Sequence, residues 1–104
     1  MRVVSRRRLQ DFWELPGHRD SEAPLLNWYS SVKSVDTDWQ NFSDLKSMFG
    51  SASIFKDCVI FNIGGNHYRL IARLRYQAHK VYILHVLTHR DYDEELWKSD
   101  CDCQ

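Results

Sequence analysis

A chain of 104 residues has room for one hydrophobic core and not two, and 43% hydrophobic with 13% aromatic residues is enough to fill it. Fourteen basic and fourteen acidic side chains cancel, so net charge alone argues for neither a nucleic-acid nor a membrane partner. No apolar run approaches the roughly 20 residues that span a bilayer, and the basic residues of segment 1–8 have no apolar stretch behind them, so neither an anchor nor a secretion signal is expected and a cytoplasmic location is the default.

In chain order, residues 1–4 are short and β-branched, fit for an edge strand. Ser5 is placed to cap a helix with Val4 and Leu9 as its hydrophobic staple; Leu9, Phe12 and Trp13 share a face, and Pro16-Gly17 stops it. Arg6, Arg7 and Arg8 fall in its first turn and read as solvated cations. A second helix opens near Ser21, with Pro24 in the first turn and Leu25, Trp28, Tyr29 and Val32 on one face. Residues 35–41 are polar and form a loop. Ser43 is then expected to cap a short helix whose Leu45, Met48 and Phe49 face the core, closed by Gly50.

From Ala52 onward the period changes to two. Residues 59–63 read as a strand, Gly64-Gly65-Asn66 as a hairpin turn, and residues 67–76 as a second strand. Tyr68, Leu70, Ala72 and Leu74 point one way; His67, Arg69, Ile71, Arg73 and Arg75 point the other. Gln77-Ala78-His79 turns the chain into residues 80–88, apolar on both faces as a central strand is, with Val81, Ile83 and Leu87 opposed to Tyr82, Leu84 and Val86. Asp91 and Glu94 cap a last short helix carrying Leu96 and Trp97. The expected fold is α+β: a small, antiparallel-dominated sheet with helices packed on one face, a single domain over 1–98 and a disordered tail over 99–104. Cys58, Cys101 and Cys103 lack framework spacing, so Cys58 reads as a buried thiol and the other two as part of a frayed tail.

Charge along the chain is segregated. Between Cys58 and Arg90 there is no Asp or Glu, while Arg69, Arg73, Arg75, Lys80 and Arg90 all fall there; from Asp91 the sign reverses. Alternation puts Arg69, Arg73 and Arg75 on one strand face, roughly 6.5–7 Å apart, close to the spacing of successive phosphates. Three guanidiniums without an intervening acid suit a polyanion, with Arg69 and Arg73 holding the phosphate and Arg75 extending the RNA contact. The competing reading pairs them with Asp93, Glu94 or Glu95.

A second cluster, Thr88-His89-Arg90-Asp91-Tyr92-Asp93, lies where strand gives way to helix. His89 can exchange a proton near neutral pH, and Tyr92, three residues on, shares its side of the first turn. That pair suits RNA cleavage through attack by the RNA's own 2′-hydroxyl, which needs a base at the 2′-oxygen, positive charge on the phosphate and an acid at the leaving 5′-oxygen. No carboxylate cluster or Cys/His ligand spacing points to a metal, and no cofactor motif is present. His85 reads as a satisfied interior or edge histidine, and His18 and His79 as turn residues. Trp13, Trp28 and Tyr29 fit helix core faces better than base stacking.

The runs Phe61-Asn62-Ile63-Gly64-Gly65-Asn66-His67-Tyr68-Arg69-Leu70 and Val86-Leu87-Thr88-His89-Arg90-Asp91-Tyr92-Asp93 occur in this order. With Arg2-Val3-Val4-Ser5 and the 39–53 segment, where Lys46 precedes Met48-Phe49, the chain resembles the HigB branch of the RelE-like toxins up to about Leu96. The resemblance implies a RelE-like fold and a type II toxin–antitoxin system. It implies a metal-independent endoribonuclease that cleaves mRNA, on the ribosome, and arrests growth, neutralised by a HigA-like helix-turn-helix antitoxin. By position it implies Arg69 against the scissile phosphate and His89 and Tyr92 as proton-transfer groups, with Asn66 shaping the hairpin and Lys46 contacting phosphate. The residues alone leave open a non-catalytic module whose basic sheet face binds RNA or a protein.

Overall fold

The computed structural model describes residues 1–101. Strand β1 (Arg2–Val4) leads into helix α1 (Arg7–Trp13), a 3-10 turn at Arg19–Ser21, and helices α2 (Glu22–Lys33) and α3 (Phe42–Met48). Strands β2 (Ser53–Phe55), β3 (Cys58–Ile63), β4 (Tyr68–Arg75) and β5 (Lys80–Thr88) follow, then helix α4 (His89–Asp93) and a 3-10 turn at Leu96–Cys101. The sheet order is β1-β5-β4-β3-β2. Its hairpin-linked strands are antiparallel, and β1, separated from β5 in the chain by the three helices and strands β2–β4, pairs with it in parallel. At the β3–β4 turn Gly64 and Gly65 both hold positive φ, a conformation that a side chain would strain. Among the described residues no helix is long and apolar enough to cross a membrane.

The α+β architecture is the expected one. Helices α1, α2 and α3 bring Leu9, Trp28, Val32 and Leu45 onto Phe61, Leu70, Val81 and Ile83 of the sheet. The C-terminal segment adds a partial third layer, for Trp97 and Cys101 pack with Cys58, Ile60 and Ile71 on the opposite face. Cys58 and Cys101 are joined in a disulfide. This overturns the buried thiol and moves the start of any tail: residues 99–101 belong to the 3-10 turn and Cys101 is wholly buried. Trp97, inserted beneath the sheet, brings Cys101 within bonding reach. Cys103 and the rest of 102–104 lie outside the described residues.

Four local expectations are corrected. Ser5 is no cap; it turns the chain at φ 74°, and α1 begins after Arg6 without a side-chain cap. Asn41, not Ser43, caps α3, its side chain accepting from the Asp44 amide at 2.9 Å. Met48, at 47% exposure, faces outward while Phe49 packs on the core. The fourth correction is a bulge in β5. Ile71 opposes His85 but Ala72 opposes Ile83, leaving Leu84 as the extra residue. One inserted residue reverses every side chain beyond it. Val86 therefore joins Val81 and Ile83 on the larger core, while Leu84 and Leu87 share the smaller one.

Candidate active site

Tyr68 opens β4 directly opposite Thr88, which closes β5, so the glycine turn, Arg69 and the start of α4 gather at one end of the sheet. Thr88 is extended and its side chain accepts from the Asp91 amide at 3.1 Å, so the helix starts at His89 rather than at the expected Asp91 cap. Over that cap Tyr92 is laid across Arg69, whose guanidinium carbon lies 5.2 Å from the ring centroid. Arg69 is only 8% exposed, and its Nη1 donates to the Tyr68 carbonyl at 3.0 Å. Among the described residues no carboxylate pairs with it. A buried cation without a counter-ion is costly to the fold and offers its unused donors to an anion.

Tyr92 is also held by Trp97. Their rings stack at 5.3 Å and 9°, and the Trp97 indole N–H donates to the Tyr92 carbonyl at 3.0 Å. One turn earlier on α4, half-exposed His89 has its Nδ1 3.0 Å from Asp93 Oδ2. That contact fixes the imidazole through one nitrogen and leaves Nε2 for proton exchange. Beside Tyr92 and Asp93 opens a cavity of about 210 Å³, floored by Ile60 and Trp97 and edged by Ser53 and Phe55.

The other residues singled out in sequence are dispersed. Arg73 has its Nε 2.8 Å from Asp57 Oδ2 and donates through Nη2 to the Asp100 carbonyl at 2.6 Å. The acid beside it is Asp57, one residue ahead of the acid-free stretch, rather than Asp93, Glu94 or Glu95. Arg75 donates to the Leu74 carbonyl at the opposite end of β4, six residues and roughly 20 Å from Arg69. Lys46 donates to the Ala52 carbonyl at 2.6 Å, just ahead of β2, three strand spacings or roughly 14 Å from β5. Asn66 is exposed in the glycine turn, at the same end as Arg69. His85 pairs with Asp100 at 2.7 Å, His79 pairs with Asp38 at 2.8 Å, and His18 stacks on Phe12.

Two supporting roles escape the sequence reading. Asp93 partners His89 at an i,i+4 spacing that sequence does display; Trp97 supports Tyr92 through a tertiary contact that leaves no sequence mark. Among the described residues no three His, Cys, Asp or Glu side chains stand close enough to hold a metal ion. The gathered set is a guanidinium, a phenol and an acid-oriented imidazole, able to bind a phosphodiester and move a proton beside it.

Residues 21–95 match the HigB_toxin family model, described as a RelE-like toxic component of a toxin–antitoxin system. Over 97 residues the chain is 31% identical to the mRNA interferase toxin HigB of Escherichia coli (strain K12), covering 89% of this chain and 88% of that protein. It is similar in the same measure to the mRNA interferase HigB of Shigella flexneri.

Proposed function

The chain belongs to the HigB family of RelE-like toxins, and we propose that it cuts messenger RNA with Arg69, His89 and Tyr92 as the working residues. It is the toxin of a toxin–antitoxin system and an endoribonuclease of the mRNA-interferase kind. The observation that carries the residue assignment is the Arg69 guanidinium, buried under Tyr92 with no acid beside it among the described residues. A phosphate is the ligand that such a group lacks.

Arg69 holds the scissile phosphate and stabilises the charge that builds on it. His89, oriented by Asp93, is general acid or base, and Tyr92 is its counterpart. One of them takes the proton from the 2′-hydroxyl as that oxygen attacks phosphorus; the other protonates the departing 5′-oxygen. The products are a 2′,3′-cyclic phosphate and a 5′-hydroxyl, and no metal takes part. Lys46 and Arg75 meet more distant phosphates, Asn66 shapes the turn beside Arg69, and Arg73 serves the fold. Cleavage takes place in the cytoplasm on ribosome-bound message, and a HigA-like helix-turn-helix antitoxin neutralises it.

The test is to incubate purified protein with messenger RNA in chelator, with and without ribosomes. The wild type cleaves when ribosomes are present, and His89→Ala loses about 10²–10⁴-fold in rate and relieves growth arrest. A His89→Ala variant that stays fully toxic removes the assignment, and binding without cleavage in both conditions favours a non-catalytic RNA-binding module.

A further inference from the structure

We propose that the antitoxin docks on the half-paired edge of β5 by adding an extended segment to the sheet, with its apolar side chains seated in two grooves that flank that edge. The proposal rests on the toxin–antitoxin reading above and names where the inhibitor is received.

The register of β1 on β5 ends at Val4 opposite Tyr82. Beyond it, residues 83–88 have β4 on one side and, among the described residues, no strand on the other. A sheet edge presents backbone N–H and C=O groups that an extended peptide satisfies in register. Arg8 meets one of them, donating from Nη1 to the Leu84 carbonyl at 2.9 Å.

Two grooves adjoin this edge. On the side of the larger core, Phe12 and Leu15 of the α1 region face Val86 across a groove of about 360 Å³. On the other, Leu87, Leu96 and Trp97 line one of about 230 Å³. His85 lines both, so the grooves meet across the strand. Successive side chains of an added strand point to opposite faces, and a single segment with apolar residues at neighbouring positions fills both grooves. Leu15 at 50% exposure and Leu96 at 77% stand at their outer walls.

Charge selects the class of occupant. Asp91 and Glu94 rim the second groove, which repels RNA and favours a peptide carrying Lys or Arg beside its apolar anchors. Such a peptide abuts α4, the helix that carries His89 and Tyr92, so it acts on the site without filling it.

The experiment uses the full chain and the protein encoded beside it that suppresses its toxicity. Amide hydrogen exchange is followed for the free chain and the complex, and Leu15→Asp and Leu96→Asp are made at exposed positions outside the catalytic set. Expected are slowed amides within 83–88 in the complex, and variants that fold and arrest growth as the wild type does but are captured at least tenfold more weakly by the antitoxin. Unchanged exchange at 83–88 overturns the proposal, as does wild-type capture of both variants. Protection that appears in the free chain as its concentration rises assigns the edge to a second copy and overturns it too. If the wild type neither arrests growth nor forms a complex, the toxin reading fails as well, an outcome distinct from a complex that leaves 83–88 unprotected.

Discussion

Burying the Arg69 guanidinium withdraws it from water, and the Tyr92 ring and the Tyr68 carbonyl offset only part of that cost. Arg69→Met is therefore expected to leave the melting temperature unchanged or higher while lowering single-turnover cleavage by about 10²–10³-fold. A marked loss of stability with cleavage retained would reverse that assignment. Arg73 behaves oppositely: Arg73→Met strands Asp57, and at a pair this partly exposed the loss is about 1–2 kcal/mol in denaturant unfolding. Tyr68 supplies a pH signature. Its hydroxyl donates to Asp20, and this bond, with burial, pushes its pKa up to about 12 from 10. Because the folded value lies above the unfolded one, the neutral phenol favours the fold. That stabilisation is complete below pH 10 and is lost as pH rises from 10 through 12. Tyr68→Phe should flatten this alkaline loss, and unfolding midpoints across that range measure it.

Helix α4 has five residues and one cap, too short to persist without tertiary support. Its support is the following turn, pinned by Trp97 under Tyr92, by Arg73 and His85 on Asp100, and by the Cys58–Cys101 bridge. Reduction, or Cys101→Ser, is expected to lower stability by about 2–4 kcal/mol, read from unfolding with and without dithiothreitol. No change in the midpoint would contradict a stabilising bridge. What the sequence revealed of these elements follows physical reach. The β3–β4 hairpin was legible because glycines and strict alternation are local signals, and the arginine face of β4 was legible for the same reason. The partners of those arginines were not, since Asp57, Asp100 and Tyr92 meet them only through tertiary packing. Strand β5, apolar on both faces, hid its bulge because a one-residue slip there alters no pattern. Cysteines 43 positions apart gave no local hint of pairing, and Asn41 stands only two residues before Ser43, so residue type alone did not decide the cap.

Taken whole, the neutral chain sets opposite charges close together, as in Arg7–Asp11, Arg73–Asp57 and Lys98–Glu95. One end of the sheet holds Arg69, with Asn66 and His89 nearby, while the groove below β5 is rimmed by Asp91 and Glu94. On the proposal that Arg69, Lys46 and Arg75 contact phosphate, affinity for single-stranded RNA should fall with salt at a logarithmic slope of about −2. A binding titration from low to moderate salt checks this, and a much steeper slope means that other cations take part. The central claim is transesterification by the RNA's own 2′-hydroxyl at Arg69, His89 and Tyr92. It is tested most directly by the ends left on a cleaved message in the presence of chelator. A 2′,3′-cyclic phosphate and a 5′-hydroxyl, with no cut where the upstream nucleotide is 2′-deoxy, are the predicted result; a 5′-phosphate, or cleavage at the deoxy position, would contradict it.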